Sequence, residues 1–124
     1  GQYYLMVIAD STGAPFDGGK AYRLDVPADP PVRQYWSATV YDRETHTLDL
    51  EMPRAGRSSQ SPGLVTNPDG SVTLYICPEA PAGHEANWAP TARGAAFEVM
   101  MRFYGPEKAL FDKTWVLPDI EPMA

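Results

Sequence analysis

Apolar and polar residues alternate at period two over several short stretches, the pattern of strands with one buried face. Tyr22, Leu24 and Val26 alternate with Arg23 and Asp25. Over residues 34–41, Trp36, Ala38 and Val40 face one way, and Tyr35, Ser37, Thr39 and Tyr41 face the other. Val72, Leu74 and Ile76 mark a third strand. Phe97, Val99, Met101 and Phe103 alternate with Glu98, Met100, Arg102 and Tyr104 in the longest one. Residues 46–52 and 114–117 read as two further strands, and 106–111 as one short helical turn with Pro106 at its first position.

Residues 3–9 break the rule, since Tyr3-Tyr4-Leu5-Met6-Val7-Ile8-Ala9 is apolar on both faces. An antiparallel strand normally shows one polar face to water, and a terminal strand tends to lie at a sheet edge. The pattern predicts cover on the second face. The expected cover is a second copy of the chain, giving a homo-oligomer, or a neighbouring domain; residues 115–120 are the alternative within the chain.

Turn chemistry separates the strands. Asn67-Pro68-Asp69-Gly70 and Asp10-Ser11-Thr12-Gly13 are turn signals. Asp17-Gly18-Gly19 offers positive φ, and Pro27, Pro30 and Pro31 end a strand. Residues 53–62 and 78–92 read as loops, the second carrying Trp88. Short strands at short intervals predict an all-β sandwich or barrel. With 13 Pro and 10 Gly among 124 residues, long helices have little room. The length fits one domain, 1–124, able to bury a core without disulfide or metal.

Ten basic residues stand against sixteen acidic ones, a net charge of −6. No basic run exists, which argues against nucleic acid and anionic membranes as partners. The longest apolar stretch, 3–9, is too short for a transmembrane segment. The chain opens on Gly1 without a basic signal-peptide start, as expected of a processed or excised piece. Localisation is otherwise not indicated.

Candidate chemistry is sparse. Cys77 is the single cysteine and sits in a strand, where a small core or interface residue is expected. A catalytic thiolate would want a cation beside it, and a Pro-rich turn separates Cys77 from His84. His46 with Glu44, and His84 with Glu85, lack metal-ligand spacing. Ser58, Ser59 and Ser61 lack a nucleophile elbow, and Asp17-Gly18-Gly19-Lys20 lacks the phosphate-loop frame. No cofactor is expected. The ligand-binding candidates are Trp36, Arg57, Asn87, Trp88, Arg102 and Tyr104, because aromatics stack on sugars and flat ligands while Asn and Arg add directional hydrogen bonds. Four of them have a structural alternative. Trp36 and Trp88 fill a core, Asn87 pins a loop, and Arg102 pairs with Glu98 on its own strand face.

Several segments in order carry a resemblance. They are Asp17-Gly18-Gly19-Lys20-Ala21-Tyr22-Arg23-Leu24, Tyr35-Trp36-Ser37-Ala38-Thr39-Val40-Tyr41-Asp42, Asn67-Pro68-Asp69-Gly70-Ser71, Pro81-Ala82-Gly83 with Asn87-Trp88, and Met101-Arg102-Phe103-Tyr104-Gly105-Pro106. Together they resemble the bacterial domain-of-unknown-function family 1214. Members often follow a family-1254 domain in longer, frequently secreted proteins, which makes an extracytoplasmic location the expectation. The resemblance implies a jelly-roll-like sandwich of two antiparallel sheets, and no established reaction or catalytic residue. The expected function is a non-enzymatic binding or assembly module of the cell envelope, taking a small polar or carbohydrate ligand. The alternative is a hydrolase or lyase working in a cleft between the sheets. Convergence of 54–61 and 87–88 on an open cleft with a titratable pair would favour the enzyme.

Overall fold

The computed structural model describes residues 2–42, 56–61, 63–91, 93–112 and 115–123. Glu44, His46 and Arg54, and with them the predicted strand 46–52, lie outside the described residues, as does Thr114. In chain order the strands are β1 (Gln2–Val7), β2 (Phe16–Asp17), β3 (Tyr22–Val26), β4 (Val32–Asp42), β5 (Gly56–Ser58), β6 (Val72–Cys77), β7 (Trp88–Pro90), β8 (Ala96–Pro106) and β9 (Glu121–Pro122). A 3-10 turn at Glu85–Asn87 precedes β7, and α1 (Lys108–Phe111) follows β8.

Two sheets face each other. One has the order β1-β8-β4-β5, with β2 also paired to β8; the other has the order β7-β6-β3-β9. All pairings are antiparallel except β6 with β7, which is parallel. The all-β, two-sheet sandwich read from the sequence is the fold observed. The alternation in each long strand sets the faces: Trp36, Ala38, Val40, Val99, Met101 and Phe103 from one sheet meet Tyr22, Leu24, Val26, Leu74 and Ile76 from the other. At one end Phe16 stacks on Phe97 at 4.9 Å, and Tyr22 sets its edge against both. The Tyr22 hydroxyl is not stranded by this burial, since it accepts the Asp17 N–H at 2.9 Å.

The short strands depart from expectation. β2, β5, β7 and β9 lie in segments read as loops or tail, and residues 115–117 form no strand. Strands of two or three residues are too short to display alternation. Pro106 ends β8, so α1 starts from Glu107 as its N-cap and has no proline at its first position. Gly18 and Gly19 keep ordinary φ, whereas Gly13 and Gly70 take +88° and +89° to close their turns. In those turns the Gly13 N–H reaches the Asp10 carbonyl at 3.0 Å, and the Gly70 N–H reaches the Asn67 carbonyl at 2.9 Å.

The chain after β8 crosses from one sheet to the other. Trp115 sets its edge on Phe103 at 5.8 Å and donates its indole N–H to the Ala28 carbonyl. Ile120 is buried, and β9 then joins the second sheet beside β3. This segment closes much of the side of the sandwich next to β1.

Candidate functional site

Three of the candidates meet where the sheets join. Arg57 lies opposite Ala38 in the β4–β5 register and therefore points to the inner side of the sheet edge. Its Nε donates to the Trp88 carbonyl at 3.0 Å, tying β5 to β7. The Trp88 indole N–H donates to the Cys77 carbonyl at 2.9 Å. Asn87, 5% exposed, accepts the Val65 N–H and donates to the carbonyls of Val65 and Thr73, all within 2.9 Å. One buried amide thus pins the segment before β6 to β6 itself. Trp36, 3% exposed, lies in the core. Among the described residues the two loops meet through the Arg57–Trp88 hydrogen bond, and beside Asn87 lies a cavity of about 110 Å³ lined also by Val65, Asn67, Thr73, Tyr75 and His84.

The other two candidates stand on the outer face of the first sheet. Tyr104 stacks on Tyr35 at 4.3 Å across the β4–β8 pair. Arg102 Nη2 donates to the Tyr41 hydroxyl at 2.7 Å, with the guanidinium 5.7 Å from that ring's centre. The expected Arg102–Glu98 pair is corrected: among the described residues no ion pair joins them. The reason is length, because four residues of extended strand span about 13 Å and Met100 stands between. Glu98 is instead buried on that face, opposite Tyr41.

The remaining chemistry is local. Cys77 is buried, its thiol held against the Glu79 carbonyl, and burial pushes its pKa up, away from thiolate character. His84 is exposed and stacks on Tyr75 at 4.6 Å. The hydroxyls of Ser58, Ser59 and Ser61 accept backbone N–H groups at the β5 turn. Among the described residues, no three His, Cys, Asp or Glu side chains gather to hold a metal, and no helix is long and apolar enough to cross a membrane.

The feature that stands apart is β1. It pairs with β8, and no described residue pairs with its other edge. Among the described residues the other end strands of the two sheets are short: β5 and β7 have three residues and β9 two, and Pro90 and Pro122 sit in the last two. Short edges and prolines are how proteins blunt unpaired backbone. β1 has six residues with no proline and no charge. Tyr4, Met6 and Ile8 on or just past it are 58%, 41% and 50% exposed. On its inner face Tyr3 and Leu5 line a cleft of about 190 Å³ with Leu110, Trp115, Val116 and Leu117. Phe111, also exposed, sets its ring against Tyr3 at 5.3 Å. The two-faced apolar pattern of 3–9 foretold this edge. Trp115, Val116 and Leu117 of that wall belong to the segment 115–120 that the sequence offered as cover within the chain, whereas Leu110 had no such signal.

The comparisons agree with this fold. The sequence profile of the family described as "protein of unknown function (DUF1214)" matches residues 1–108. The crystal structure of the VPA0106 protein from Vibrio parahaemolyticus is similar at TM-score 0.84 and 25% identity, over 99% of this chain and 31% of that one. An uncharacterised protein from Burkholderia cenocepacia is similar in fold at TM-score 0.69 and 18% identity, over 98% of this chain and 29% of that one. The chain therefore spans about a third of each solved chain. No curated protein matches it.

Proposed function

The chain belongs to the DUF1214 family, and we propose that it is a non-enzymatic assembly module whose working surface is the open edge of β1. The observation that carries this reading is the six-residue, uncharged edge strand with exposed Tyr4, Met6 and Ile8, beside three edges of two or three residues. An open strand edge recognises another extended segment through main-chain hydrogen bonds, while pockets beside it take alternate side chains. The cleft under Tyr3 and Leu5 is such a pocket. The commitment of Arg57, Asn87 and Trp88 to internal hydrogen bonds favours assembly over capture of a small polar ligand. A cell-envelope setting belongs to the same proposal and rests on the family resemblance alone.

The test uses a fluorescent peptide of the β1 sequence, Gln2 to Ala9, flanked by lysines for solubility. Anisotropy should show saturable binding to the protein, weakened in Met6→Lys. No binding up to about millimolar peptide, the weak end of useful affinity, would reject the edge as a docking surface.

A further inference from the structure

Resting on that reading, we infer that the occupant of the edge is β1 of a second copy of this chain, paired antiparallel about a twofold axis through Leu5. A twofold perpendicular to the sheet keeps inner faces with inner faces only in alternate registers, because a one-residue slip flips every side chain. Centred on Leu5, the pairing sets Tyr3 opposite Val7 and Tyr4 opposite Met6. These are aromatic–β-branched and aromatic–sulfur pairs, both favourable across strands. Centred on Tyr4, the same pairing would set Tyr3 opposite Leu5 and Gln2 opposite Met6 and would make neither of these pairs.

Charge points the same way. The chain carries a net −6, so two copies repel over most of their surface. Residues 2–9 hold no charged side chain, and a second copy meets no like charge there. Apolar surface is also concentrated at this seam. Tyr4, Met6, Ile8, Phe111 and Val116 are five of the seven exposed large apolar side chains among the described residues. The twofold brings all five from each copy to one seam, with the two clefts facing each other beneath it. An isologous pairing of this kind closes. It uses up both long edges and leaves the short ones exposed, so assembly stops at two.

Sedimentation of the 124-residue chain over about 1 to 100 µM, the range in which a modest interface fills, tests the inference. The mass should rise from 13.6 kDa toward twice that value. Met6→Lys, on the exposed outer face, should weaken the dimer by about tenfold or more, with an unchanged circular dichroism spectrum. Val65→Lys, at an exposed apolar residue away from the edge, should leave it intact. Leu5→Cys should cross-link to its own copy under mild oxidation, and Val7→Cys should not. A concentration-independent mass of 13.6 kDa overturns self-pairing, while the peptide measurement then decides separately whether the edge docks another strand. A dimer indifferent to Met6→Lys overturns both.

Discussion

Asn87 shows how much one side chain can hold. Its amide serves three backbone groups, two of them on Val65. Asn87→Ala removes those three bonds, at about 1 kcal/mol each, so denaturant unfolding should report a loss of about 3 kcal/mol. A loss under 1 kcal/mol would mean that the Val65 segment is held elsewhere. Trp36→Ala should cost about 3–5 kcal/mol in the same assay, as large-to-small changes in packed cores do. The sequence pointed to Trp36 as core through its parity with Ala38 and Val40. It left the roles of Arg57, Trp88 and Asn87 open, because their partners lie 11 to 31 residues away in the chain. The Arg102–Glu98 expectation failed for a different reason, since sharing a strand face does not bring residues four positions apart into contact.

At the scale of elements, the long strands were legible because four or more alternating positions define a face, and β3, β4, β6 and β8 all supply them. β2, β5, β7 and β9 were not, since two or three residues cannot alternate and their pairing is fixed by neighbours distant in sequence. The turns were legible through their chemistry. Asp10 accepts from the Thr12 N–H, the Thr12 hydroxyl and the Ala14 N–H, and Asp69 accepts from the N–H and hydroxyl of Ser71. The Thr12 and Ser71 hydroxyls, as the largest influences, hold both carboxyls below their usual pKa. A carboxyl depressed in the fold adds stability above its unfolded pKa and loses it as pH falls through the folded value. Unfolding midpoints should therefore drop on acidification below about pH 4. The double variant Asp10→Ala, Asp69→Ala should be less stable at neutral pH and show a flatter acid limb. An acid limb as steep as that of the native chain would assign the loss to other carboxylates.

For the whole molecule, the outermost strands among the described residues are unequal. Three edges are short, and β1 is long, uncharged and flanked by exposed apolar side chains on both faces. That inequality gives a β-sandwich of undefined chemistry a surface suited to assembly. The most direct measurement is backbone hydrogen exchange across β1 as protein concentration rises. Amides of residues 2–8 that point away from β8 should exchange progressively more slowly, while those of β9 keep their rate. If the outward amides of β1 exchange at the solvent rate at every concentration, nothing pairs with the edge and the self-assembly account is wrong.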